Sequence, residues 1–337
     1  MTLMTAAFIA STLFVAQGEG SEKEERASFV VAVCTPSYLP DSPSKFQLKP
    51  LGAFVHGSWL SSEFFPVTIF PKRDKPHVSP FRPEQNTFLE SLLNKKFYLC
   101  ADPAVTFVTE EKMVSWMIDS QYLGLSGQLK GTIAEDDEEV GTFDEDGEDG
   151  FLAMTNIREA CGTMKPAMLS EAEEALLSKR AQDAIIASVK ESMRECGDKK
   201  IDARFDPSRY YAPKVTRVLL CQLPSGWTGL WVRVIMNYPP EASPKSELTN
   251  NSDWFGYYSC LLQTKPKANN PILWEYADSL CSGYGGKDFD LYGIFDGDKD
   301  DVPELAIGKH GHEYREYMLV QAEDGELVEI SSIVGAL

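Results

Sequence analysis

Five residues near the C-terminus combine donor type and spacing in a way that suits a hard cation: Asp296, Asp298, Asp300, Val302 and Glu304. They occupy the first, third, fifth, seventh and ninth positions of one short loop. Four supply carboxylates, and Val302 can turn its backbone carbonyl inward. Ca²⁺ takes about 6–8 oxygen ligands at roughly 2.3–2.6 Å, and a tightly curled backbone is what brings so many anionic groups together. Without a cation, neighbouring unit charges a few ångströms apart repel by about 1–4 kcal/mol per pair at solvent-like to surface dielectric. The loop therefore implies its own ion, and Ca²⁺ is the cofactor and partner expected.

The loop lies between two apolar runs, 289–295 and 305–308, which read as strands. Loop and strands together resemble the Asp-rich calcium loop of FG-GAP and VCBS-type β repeats, in which an Asp-x-Asp-Gly-Asp-Gly-x-x-Asp/Glu-Leu motif joins two strands of a meander. The resemblance places side-chain ligands at Asp296, Asp298, Asp300 and Glu304 and the carbonyl ligand at Val302. Lys299 and Asp301 depart from the pattern, standing where glycines are usual. The similarity covers about forty residues and occurs once. An EF-hand fits less well, because its closing Glu belongs at the twelfth position, which here is Ile307.

Other chemistry is weakly signalled. His310 and His312 flank Gly311 and offer two imidazoles to a transition metal, but the sequence shows no third ligand converging on them. Gly124-Leu125-Ser126-Gly127 lacks the glycine spacing of a nucleophile elbow, and Gly283-Tyr284-Gly285-Gly286-Lys287 is followed by Asp288 where a phosphate loop needs Ser or Thr. Trp227, Trp231, Trp254 and Trp274 can be read as a sugar-stacking platform or as core. Three functions follow. The chain is an exported, non-enzymatic calcium-binding module, or a carboxylate-based hydrolase acting outside the cytoplasm, or a carbohydrate-binding module; the first best fits the single complete cage.

Composition narrows the partners. Across 337 residues, 32 lysines and arginines face 51 acids, a net charge of −19. Such a field repels phosphate backbones and anionic lipid, which argues against nucleic acid as a partner. The apolar stretch 6–16, followed by Gln17-Gly18, has the pattern of a secretory signal peptide over 1–18 and is too short to span a bilayer. Seven cysteines, at 34, 100, 161, 196, 221, 260 and 281, have no zinc-finger spacing. An exported chain can pair them, with Cys161–Cys196 the leading bridge, or keep several as small buried hydrophobes.

The elements that must position these groups give an α+β expectation. An α+β domain spans 19–198. It holds short strands at 29–34, 51–55 and 65–70, a helix capped by Thr87 and Glu90, and an acidic loop at 135–149. A long amphipathic helix, 171–196, opens on the Ser170–Glu173 capping box and carries Ala172, Ala175, Leu176, Ile185, Ile186, Val189 and Met193 as its apolar stripe. An antiparallel β domain, 199–337, contains the calcium loop 296–304. Its clearest strand alternates Leu230, Val232, Val234 and Met236 with Trp231, Arg233, Ile235 and Asn237, and Asp324-Gly325 marks a hairpin.

Overall fold

The computed structural model describes residues 28–36, 46–55, 57–60, 83–100, 105–117, 120–130, 151–155, 160–195, 212–238, 254–264, 272–279, 288–300, 302–310, 314–323 and 326–336. The expected signal peptide, the strand at 65–70, the acidic loop 135–149 and the boundary near Asp198 lie outside the described residues.

The first described segment is an apolar run that forms β1 (Phe29–Pro36). It is followed by β2 (Phe46–Val55), the two-residue β3 (Ser58–Trp59), helix α1 (Pro83–Ser91), β4 (Lys96–Leu99), β5 (Thr106–Met117), β6 (Ser120–Lys130) and β7 (Phe151–Met154). The strand order is β1-β7-β4-β5-β6-β2-β3, and β1 also pairs with β2, so six strands close into a barrel with β3 attached outside. Alternation explains the apolar run. Val30, Ala32 and Cys34 point into the barrel core with Leu48, Ala53, Phe97 and Phe107, whereas Phe29, Val31 and Val33 point to the outside. Helix α1 sends Phe88, Leu89 and Leu92 into that inner cluster. It starts at Pro83, a residue suited to a first helical turn, so Thr87 sits inside the helix and does not cap it.

The second half builds two sequential meanders. β8 (Thr163–Pro166), β9 (Lys214–Gln222), β10 (Thr228–Tyr238), β11 (Trp254–Gln263) and β12 (Ile272–Ser279) form one sheet. β13 (Asp288–Phe295), β14 (Glu304–His310), β15 (Tyr314–Glu323) and β16 (Glu326–Ala336) form the other. Between β8 and β9 runs helix α2 (Glu171–Glu195). Its capping box is as expected: the Ser170 amide and hydroxyl both donate to Glu173 Oε2, at 2.9 and 2.6 Å, and the Glu173 amide donates to Ser170 Oγ at 3.3 Å. The buried stripe is Leu177, Ala181, Ile185 and Val189, at a spacing of four, while Leu176 is exposed.

These pieces stack in layers. Helix α2 covers one face of the five-stranded sheet through Val232, Val234, Met236, Tyr258 and Cys260. The opposite face, with Leu219, Trp231, Leu261 and Trp274, packs on Phe289, Leu291, Leu305, Ile307 and Val320 of the four-stranded sheet. That sheet turns its other face, through Tyr292, Phe295, Ala306, Tyr317 and Leu319, onto the outer wall of the barrel at Phe29, Val31, Phe54 and Leu152. Lying between two apolar surfaces, β13 is buried at every position.

The α+β expectation is therefore corrected. Among the described residues strand accounts for about 65% and helix for 17%, in a six-stranded barrel and two further antiparallel sheets. The 25-residue helix begins where the capping box places it, but it covers one face of a β assembly. The N-terminal region looked mixed because its longest hairpin, β5–β6, is rich in Thr, Glu, Lys, Ser and Gly and is bulged between Thr109 and Glu111, which breaks the alternation that announces a strand.

Candidate metal centre

The loop joins β13 to β14 where the two strands end their pairing at Phe295 and Glu304. Its backbone is fixed by its own side chains. The Asp300 amide donates to Asp298 Oδ1 at 3.3 Å, and the Val302 amide donates to Asp300 Oδ1 at 2.8 Å. Both are local turns of the kind short carboxylate side chains make with amides two residues on. Lys299 takes the left-handed conformation at φ 59°, which accounts for the glycine usual at that position of the resembling loops. Gly297 is required by a close approach: a Cβ there would lie 2.3 Å from Cζ of Phe29 on the barrel wall.

Asp296, Asp298 and Glu304 converge, each offering a carboxylate oxygen, with the three oxygens within 4.8 Å of one another. An ion at roughly 2.4 Å from each oxygen fits a group of that span. The group can hold a metal ion. Asp296 and Glu304 are buried and Asp298 is half-buried. Glu304 is 0% exposed; its Oε2 accepts a 3.0 Å bond from the Gly297 amide, while Oε1 is buried and accepts no hydrogen bond. Burial pushes the Glu304 carboxyl up to about 8, opposed by the Gly297 amide and reinforced by the charges of Asp298, Asp296 and Asp300. Burial first, and then Asp300 and Asp296, raise Asp298 to about 6. A cation would reverse this penalty, since an ion is the largest charge in such a site.

Three of the five expected ligands thus meet. Asp300 lies at the exposed rim, its Oδ2 accepting a 3.3 Å bond from Gln321 Nε2 of β15. Val302 is half-buried, between Asp300 and the start of β14. Asp301 lies outside the described residues.

The remaining candidates are resolved differently. His310 Nε2 lies 2.9 Å from Asp290 Oδ2, and His312 is outside the described residues. Asp290 also meets Arg233 NH1 at 3.2 Å and Arg217 NH1 at 3.8 Å, while Arg233 NH2 pairs with Asp288. This network links β9 and β10 to β13 and β14; single strands read one at a time give no sign of it. Trp231 and Trp274 stack on each other in the core at 5.4 Å, 1% and 7% exposed, so neither offers a free face to a sugar. The observed disulfide is Cys100–Cys161, which replaces the expected Cys161–Cys196 bridge; Cys196 and Cys281 lie outside the described residues. Cys34, Cys221 and Cys260 are free and buried, and burial raises each thiol. Among the described residues no helix is long and apolar enough to cross a membrane.

No family model matches this chain, and comparison with curated proteins and with solved structures finds nothing significantly similar.

Proposed function

We propose that the chain is an exported calcium-binding protein in which Ca²⁺ fixes the β13–β14 loop, a structural rather than an enzymatic role. The observation that carries this reading is Glu304, fully buried with Oε1 accepting no hydrogen bond, within ligand range of Asp296 and Asp298. A buried carboxylate left half-satisfied is costly unless it is paired or coordinates a metal. An all-carboxylate donor set favours hard cations such as Ca²⁺, Mg²⁺ and Mn²⁺ over softer metals. Asp300, whose charge bears on both Asp298 and Glu304, adds oxygens beside the group, which favours the larger shell of Ca²⁺ over the strict octahedron of Mg²⁺. The Cys100–Cys161 disulfide supports an exported chain, since such bonds persist in oxidising compartments.

The loop presses on Phe29 of the barrel through Gly297, and the Asp296 amide donates to Ala160 O at 3.2 Å. An ion here therefore stiffens the place where the barrel, the backbone at Ala160 and the four-stranded sheet meet. Binding to the folded state alone stabilises it by RT ln(1 + [Ca²⁺]/Kd), about 2.7 kcal/mol at a hundredfold excess over Kd. Calorimetric melting of the wild type and of Asp298→Ala, in EDTA, in millimolar CaCl₂ and in millimolar MgCl₂, tests the reading. The expected result is a wild-type Tm that rises with Ca²⁺ more than with Mg²⁺, and a variant Tm that rises with neither. A wild type that melts identically in EDTA and CaCl₂ overturns it.

A further inference from the structure

The three carboxylates are not positioned by their hairpin alone. β13 is an edge strand, and the segment 160–162 runs antiparallel along its open side. The Gly162 amide donates to Ile294 O at 2.8 Å, Cys161 forms a bridge with Phe295, and Ala160 O accepts from the Asp296 amide at 3.2 Å. The last of these bonds holds the backbone of the first metal-ligating residue. The segment is in turn tied covalently, because Cys161 is disulfide-bonded to Cys100. Cys100 follows β4 and donates its amide to Leu152 O at 2.8 Å on the barrel wall. Cys100, Leu152, Phe29 and Phe295 share one cluster, against which Cys161 packs. The path from the sulfurs to Asp296 is thus one residue of backbone and one hydrogen bond.

We propose that the Cys100–Cys161 disulfide is a redox gate on the cation site: the oxidised chain binds the ion, and reduction by a dithiol weakens binding by releasing 160–162 from the barrel. This inference rests on the cation reading above. The reductant is an external dithiol, because the free thiols among the described residues, Cys34, Cys221 and Cys260, are buried. One of its thiolates attacks a sulfur of the bridge and displaces the other cysteine as a thiolate, forming a mixed disulfide. Its second thiolate then displaces the bound cysteine and closes the reductant's own disulfide. Two electrons pass to the protein, and two protons complete the Cys100 and Cys161 thiols. Cys161 is half-buried and Cys100 is buried. With the bridge cut, the support behind Asp296 is reduced to backbone hydrogen bonds on a segment no longer anchored at Cys161.

Titration calorimetry with CaCl₂ at 25 °C tests the gate on three forms: oxidised wild type, wild type held reduced in dithiothreitol with both thiols confirmed by alkylation, and the Cys100→Ser/Cys161→Ser double variant. Loss of an outer-shell support typically weakens metal affinity about 10–100-fold, so Kd is expected to rise at least about tenfold in the second and third forms. Val189→Ala, in the core between α2 and the five-stranded sheet, destabilises the chain without touching the loop and should leave Kd unchanged. Coupling is reciprocal, so CaCl₂ should raise by the same factor the dithiothreitol ratio needed to half-reduce the bridge. That equilibrium is measured on wild type and decides the matter even if the double variant fails to fold. Oxidised protein that binds Ca²⁺ together with folded, reduced protein that binds it equally well, or a half-reduction ratio indifferent to Ca²⁺, overturns the gate alone. Oxidised protein that does not bind Ca²⁺ overturns the cation reading itself.

Discussion

At the scale of single residues, Glu304 carries the most strain on the electrostatics of the site. It begins β14, is wholly buried, and its Oε1 accepts no hydrogen bond. Glu304→Gln keeps the shape and an oxygen for the Gly297 amide, and its new NH₂ can donate to Asp296 or Asp298. Removing a buried unsatisfied charge is worth about 1–3 kcal/mol. The variant should therefore melt higher than wild type in EDTA and show no rise with CaCl₂, a crossover that calorimetry reads directly. A variant that melts below wild type in EDTA would mean that the carboxylate is satisfied without an ion. The three carboxylates that converge, Asp296, Asp298 and Glu304, were legible in the sequence because they stand at alternate positions of one short loop. Gln321, which holds Asp300 from a neighbouring strand, had no such signal.

At the scale of elements, Asp290 binds two sheets together. Burial alone would raise its carboxyl, but the hydrogen bond from His310 and the charges of His310, Arg233 and Arg217 hold it well below the usual carboxylate range. A carboxyl depressed in the folded state contributes stability above its unfolded value of about 3.8, and that contribution is lost as pH falls below it. Breaking a buried ion pair by removing one partner costs about 3–5 kcal/mol. Asp290→Asn should therefore lower stability by about 3 kcal/mol near pH 7, measured by urea unfolding, and the gap to wild type should narrow below about pH 4. A gap independent of pH would assign the loss to packing rather than to charge. The network was not visible beforehand, because Asp288 and Asp290 sit in a strand whose neighbours are Phe289 and Leu291, and their arginine partners are 55 or more residues away on β9 and β10. Strands β1, β10 and β15–β16 were readable, since each carries its own apolar run, alternation or turn signal. The barrel was not, because its order, β1-β7-β4-β5-β6-β2, is a property of pairings between distant segments.

At the scale of the whole molecule, the four-stranded sheet and the barrel approach too closely for an ordinary side chain at Gly293. A Cβ there would lie 2.5 Å from Cβ of Leu152 on β7, at the bulge where β13 shifts register against β14. Gly293→Ala should cost about 1–3 kcal/mol through overpacking, read as a lower urea midpoint. A midpoint equal to wild type would mean that barrel and sheet can separate locally without loss.

Strand β1 fills the seam of the barrel, paired with β2 on one side and with β7 on the other, where Val31 faces Met154. The two meanders downstream pair only successive strands. Sequence-local contacts form sooner, because distant pairings must first meet the entropy of closing long loops. The C-terminal sheets should consequently organise first, with closure of the seam as a late event that follows the barrier. Val31→Ala then acts after the barrier and should mainly speed unfolding while leaving the refolding rate nearly unchanged, a partition that a stopped-flow chevron measures. The strand nearest the N-terminus among those described is thus the last to find its place, and until it does both β2 and β7 present an unpaired edge to any other chain.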